Sequence, residues 1–116
     1  MQIDIQARNF SLTEALQRYV IKRINSALTS SNDSVQRIIV RLSNANGPKG
    51  GADKRCHIQV VIPHQSDVII DDVEANMYAA VDNATDRAGR TVTRHVAKHR
   101  KFKRVFNSAN AVTAEI

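Results

Sequence analysis

Eight basic side chains crowd residues 87–104 with no acid among them: Arg87, Arg90, Arg94, Lys98, Arg100, Lys101, Lys103 and Arg104. His95 and His99 share the stretch. Residues 1–86 hold 9 basic and 10 acidic side chains, so the net charge of +6 comes from this one segment. A confined cationic run is the electrostatic footprint of a polyanion-binding surface. The plain alternative is a solvated basic helix end or a disordered tail.

Other groups that could do chemistry are sparse. Gly47, Gly50 and Gly51 stand beside Lys49 and Lys54, but no Gly-Lys-Ser/Thr opens a helix as a phosphate loop requires. A flexible hairpin loop with basic residues able to touch a backbone is the better reading. Gly50-Gly51-Ala52 also lacks the glutamine of a peptide-release tripeptide. His95 and His99 at i, i+4 could share a metal, yet Val96 occupies the place of the glutamate in a catalytic zinc helix. Among Arg94, Lys98 and Arg100 these histidines suit phosphate or water better, and neither metal nor cofactor is expected. Cys56 falls on the inward alternation of a strand and reads as a core thiol. As the single cysteine it excludes an intrachain disulfide framework and fits a reducing compartment. Asp67, Asp71 and Asp72 have no His or Cys at a motif spacing, so turn and helix-capping roles suffice. No catalytic site assembles, and a non-enzymatic protein is expected.

The elements that must position the cations follow from periodicity. Ile3, Ile5 and Ala7 alternate with polar neighbours in a first strand, Gln2 to Arg8. Ser11 and Glu14 form a capping box for helix one, with Phe10 and Ala15 as its staple. Leu12, Leu16, Tyr19, Val20, Ile24 and Leu28 make the buried stripe, and Arg18, Lys22 and Arg23 lie off it. The cluster 29–34 turns the chain into strand two, Val35 to Ser43, with Ile38, Val40 and Leu42 on one side and Arg37, Ile39 and Arg41 on the other. Strand three, about Lys54 to Ile62, turns Cys56, Ile58, Val60 and Ile62 to one face. A turn at 63–66 leads to strand four, Asp67 to Val73. Helix two runs from about Glu74 to near Lys101 on an apolar face of Met77, Ala80, Val81, Ala84, Ala88, Val92 and His95 or Val96. At 100° per residue Arg87, Arg90, Arg94, Lys98 and Lys101 fall within about 80° of one another on a separate face. One side grips the sheet and the other displays a cationic rail. The final stretch, 105–116, lacks pattern and is expected to be a frayed or disordered tail after a domain spanning 1–104.

The expected fold class is therefore α+β: a two-layer β-α-β-β-β-α sandwich, a four-stranded sheet with two helices packed on one face. At 116 residues the chain has room for one such domain. No apolar run approaches the roughly 20 residues of a membrane span, and Met1 is followed by Gln2-Ile3-Asp4, so a cytoplasmic protein is expected.

None of the five aromatics falls on an expected strand, which disfavours base-stacking single-strand readers. Recognition of shape and phosphate by Arg and Lys remains. The layering is like that of a double-stranded-RNA-binding domain, but that domain opens with a helix. It also starts its last helix with lysines where this chain has Asp71, Asp72 and Glu74, acids that suit a helix N-terminus and repel phosphate. The binding end of helix two is then its middle and C-terminal half.

Several segments in this order carry a more specific signal. They are Met1-Gln2-Ile3-Asp4-Ile5, Leu12-Thr13-Glu14-Ala15-Leu16, the loop from Gly47 to Cys56, and Met77-Tyr78-Ala79-Ala80-Val81-Asp82 followed by spaced basic residues. Over Met1 to about Arg104 the chain resembles the bacterial ribosome hibernation factors, also described as the sigma-54 modulation protein or ribosome-associated inhibitor family, in its short form. The resemblance implies the same fold and binding to the small ribosomal subunit, in the channel between head and body, where the domain would compete with mRNA and with A- and P-site tRNA. It implies action on idle ribosomes in stationary phase, starvation or cold. Arg23, Arg87, Arg90, Arg94 and Lys98 match basic family positions that face rRNA. Rail geometry and adjacency add Lys22, Arg55, Arg100 and Lys101. The family's long form carries a second, C-terminal dimerisation domain, which a chain of this length is not expected to include, and the tail does not decide between promoting and antagonising ribosome pairing. Two rivals remain: a general RNA- or DNA-coating protein using the same helix, and an RNA-processing enzyme.

Overall fold

The computed structural model describes residues 1–44 and 53–115, with side chains through Lys98. The order is β1 (Gln2–Arg8), α1 (Glu14–Ala27), a 3-10 turn (Thr29–Ser34), β2 (Arg37–Asn44), β3 (Lys54–Val61), β4 (Val68–Glu74) and α2 (Met77–Glu115). The four strands form one sheet in the order β1-β2-β3-β4. β1 runs parallel to β2, a pairing that needs a long crossover, and α1 supplies it. β2, β3 and β4 pair antiparallel.

Strict alternation sorts each strand between two faces. Ile38, Val40 and Leu42 of β2, Cys56, Ile58 and Val60 of β3, and Val68 and Ile70 of β4 are buried. They meet Leu16, Val20, Ile24 and Leu28 from α1 and the turn after it, and Ala80, Val81, Ala84, Ala88, Val92 and Val96 of α2. The residues between them point to the other face, which no helix covers; there Ile69 and Val73 are exposed. The α+β layering expected from the periodicity is the one observed.

Local details differ from the sequence reading. α1 is capped by Thr13, whose Oγ1 accepts the Leu16 N–H at 3.1 Å, rather than by Ser11. Glu14 pairs with Arg18 one turn on instead of closing a capping box. Both Ser11 and Thr13 are competent caps, and the start of the buried stripe at Leu16 selects the nearer. The 29–34 cluster winds into a 3-10 turn. Asp71, Asp72 and Glu74 lie on β4, not at a helix N-terminus. Asn76 starts α2 instead: its Oδ1 accepts the Tyr78 N–H at 2.8 Å and its carbonyl the Ala80 N–H at 3.0 Å. The backbone of α2 continues helical through Glu115, past the end expected near Lys101 and through the stretch expected as a frayed tail. No Gly or Pro interrupts 105–115, and a helix already nucleated extends at little cost per residue. The loop glycines and Lys49 lie outside the described residues.

One close approach fixes the two helices against each other. A Cβ at Gly89 of α2 would stand 2.7 Å from the Ala27 carbonyl oxygen of α1. That neighbour is backbone, so only helix separation could relieve the clash. Gly89→Ala is expected to lower stability by a net of about 1–2 kcal/mol, overpacking outweighing the helix-propensity gain of roughly 1 kcal/mol. Urea denaturation would read this as a lower midpoint; an unchanged or higher one would mean that the helices part freely.

Burial pushes the Cys56 thiol up to about 12, with Asp72 and Asp71 adding to the shift. The thiolate is therefore scarce in the folded protein. Iodoacetamide at about pH 8, near the ordinary thiol pKa, should leave Cys56 unmodified in buffer and alkylate it in urea. Fast native alkylation would show that β3 opens.

Candidate nucleic-acid interface

The phase of α2 is set by what it buries. Ala84, Ala88 and Val92 face the sheet, so Arg87, Arg90, Arg94 and Lys98 are turned outward, and all four are exposed. Arg90 and Arg94 stand one turn apart and Lys98 one turn further. Among the described residues none of these three has a carboxylate within ion-pair distance. Arg87 is tied instead to the sheet edge: one guanidinium nitrogen donates to the Asp71 carbonyl at 2.8 Å and lies 3.6 Å from the Asp72 carboxylate. An open groove of about 870 Å³ follows this part of the helix, bordered by Ala27, Ile70, Asp86, Arg87, Arg90 and Arg94.

Where α1 crosses α2 the electrostatics are different. Arg23 reaches over the seam, its Nε 3.1 Å from Asp82 and a terminal nitrogen 2.8 Å from Asp86. Asp82 also accepts the Tyr19 hydroxyl, which raises that phenol's pKa above its usual value. Tyr19 and Tyr78 meet edge to face, ring centroids 4.9 Å apart. Two carboxylates thus compensate Arg23, which acts as a strut between helices as much as a displayed cation. Lys22, one residue earlier, is exposed and has no ion pair among the described residues.

The structure brings Lys22, Arg23, Arg87, Arg90, Arg94 and Lys98 together on the helical layer. It places Arg55 elsewhere. Arg55 alternates with buried Cys56, so it projects from the uncovered sheet face, in a two-pronged bond to Asp71 at 2.8 and 2.6 Å. That bond, with His57 Nδ1 3.2 Å away, holds the Asp71 carboxyl below its usual pKa and raises that of Arg55. Arg100 and Lys101 lie on the α2 backbone, their side chains outside the described residues, as is that of His99. His95 is half-buried, and no group of three metal-ligating side chains comes together among the described residues. Asp67 accepts from Gln59 Nε2 at 2.7 Å, so it and Asp71 each hold a side-chain partner. Arg8 and Arg41, which the sequence reading did not select, line the uncovered face with Arg55. Only strand register could have revealed them.

This arrangement can hold phosphates without reading bases: outward guanidinium and ammonium groups on a rigid helix, with no aromatic side chain on any strand. No helix among the described residues is long and apolar enough to cross a membrane.

No curated protein matches the sequence. Among solved structures, the chain is similar to the N-terminal domain of Protein Y from Thermus thermophilus, at 30% identity and a TM-score of 0.68, covering 82% of this chain and 99% of that one. It shares its fold with a ribosomal subunit interface protein from Coxiella burnetii, at 16% identity and a TM-score of 0.72, covering 84% and 99%. With the family's sequence pattern matched over residues 3–100, the chain belongs to the sigma 54 modulation protein / S30EA ribosomal protein family.

Proposed function

We propose that this protein is a ribosome hibernation factor: a non-enzymatic translation inhibitor of the cytoplasm that binds the small ribosomal subunit through rRNA. The observation that carries the reading is the row Arg90, Arg94 and Lys98, exposed and without carboxylate partners among the described residues, in a domain that pairs many of its other cations internally. Family membership supports a ribosomal partner for that row, since the family is described as one of sigma 54 modulation and S30EA ribosomal proteins. In this reading the domain of residues 1–104 fills the mRNA and tRNA channel between head and body, over the A and P sites, and silences idle ribosomes under stress. Arg87, Arg100, Lys101, Lys22 and Arg23 extend the contact. Turnover is unnecessary, because a rigid plug held by phosphate contacts competes by occupying space. Each phosphate neutralised releases counterions, so affinity falls steeply with salt.

Co-sedimentation with vacant ribosomes and separated subunits at about 150 mM salt, near physiological screening, tests the reading. Retention on the small subunit, lost on adding mRNA and initiator tRNA, is expected. Equal binding to bare RNA duplex would favour the coating protein, and a processed RNA would favour the enzyme. Arg90→Glu with Arg94→Glu should abolish retention and leave the fold intact, because neither side chain has an ion-pair partner among the described residues whose loss would unfold the domain. Unchanged retention of that double variant would remove the rail from the interface.

A further inference from the structure

The uncovered face of the sheet carries a second cationic surface, on the opposite side from α2. Cross-strand register sets Arg8 of β1, Ser43 of β2 and Arg55 of β3 in one row, and Gln6, Arg41, His57 and Asp71 in the next. With strands about 4.8 Å apart, Arg8 and Arg55 flank Ser43 at roughly 10 Å from each other. These residues border a concavity of about 430 Å³. Asp71 compensates Arg55 and stands 3.2 Å from His57 Nδ1. Arg8 and Arg41 have no carboxylate partner among the described residues; Arg41 makes one long contact, 3.4 Å, to Gln6 Oε1.

We propose that this concavity is a second binding site for an RNA phosphodiester backbone, so that the domain is held between two RNA segments, one on α2 and one on the sheet. Like charges in adjacent rows of a sheet oppose folding. The unpaired guanidinium groups of Arg8 and Arg41, beside the Ser43 hydroxyl and the Asp71-bound Arg55, therefore make a surface that an anion stabilises. The arginines are exposed rather than enclosed, whereas a small anion's site buries most of its ligand. No strand aromatic offers a base a stacking partner, so phosphate is what the surface recognises. Because the sheet's two faces point apart, a short duplex seated on the rail cannot also reach Arg8 and Arg41.

The inference rests on the ribosomal reading only for which RNA is bound, and the test separates the two. A short mixed-sequence RNA duplex is titrated into the isotope-labelled full chain. The Nε–Hε signals of Arg8, Arg41 and Arg55 and the Ser43 amide should shift, and should still shift in R90E/R94E. The remaining reporters, Arg55 Nε–Hε and the Ser43 amide, should not shift in R8E/R41E or in the milder R8Q/R41Q, whose dispersed spectra would show the fold retained. On small subunits, R8Q/R41Q should make the dependence of log K on log salt shallower by about two. Unmoved cluster signals in the wild type would overturn the site. Saturation by inorganic tripolyphosphate with no response to duplex would overturn RNA as its occupant. Cluster shifts with duplex in a protein that fails to sediment with small subunits would uphold the sheet site while removing the ribosomal reading.

Discussion

A four-stranded sheet covered on one face only dictates most of what this domain can do. The alternating apolar residues of β2, β3 and β4 must be covered, and the longer of the two helices that cover them is also the most basic segment in the chain. α2 meets both demands by rotation. Alanines 80, 84 and 88 let it lie close to the sheet, and Val81, Val92 and Val96 fill the space between. With that face buried, the arginine spacing leaves no choice about where Arg90, Arg94 and Lys98 point. The contact of Gly89 with Ala27 then fixes α1 beside α2, and the Arg23 strut to Asp82 and Asp86 closes the seam.

Net charge is a poor guide to where such a domain binds, because many of its cations are spent on the protein itself. Arg18 pairs with Glu14, Arg37 with Asp4, Arg55 with Asp71, and Arg23 with two aspartates. Exposed pairs of this kind add little stability, but they cancel locally, and a locally neutral patch attracts no phosphate. What stays uncompensated among the described side chains is Lys22, Arg90, Arg94 and Lys98 on the helices and Arg8 and Arg41 on the sheet. Pairing, rather than composition, divides the seemingly uniform basic character into two opposed surfaces.

The parts of this arrangement legible in the sequence are those set by short-range periodicity. β1 runs from Gln2 to Arg8 as its alternation requires, and the inward residues of β2 and β3 are the buried ones. The outward phase of the α2 cations follows from 3.6-residue geometry alone. Tertiary choices were not legible. Ser11 and Thr13 are equally good caps until packing selects one. Asp71 and Asp72 resemble a helix start, because acids are common there, until β4 pairs with β3 and places Asp71 beside His57 and Arg55. Arg8 and Arg41 are far apart in sequence, and only the parallel β1–β2 register makes them neighbours. Arg23 looked like a displayed cation because Asp82 and Asp86 lie some sixty residues away.

The absence of aromatics from the strands bears on mechanism as well as on ligand class. A surface that stacked bases would need to unstack them first, and would then hold single strands. In the reading proposed above, arginines on a helix and on a pleated sheet would instead meet RNA as it already is, folded, through its phosphates. Such contacts carry little sequence information, so selectivity has to come from shape: a rigid body whose two charged faces are a fixed distance apart fits only where two RNA segments are suitably spaced. The packing of α2 on the sheet sets that distance. On that proposal core packing and partner choice are one constraint, because moving α2 on the sheet would alter the spacing between the two charged faces.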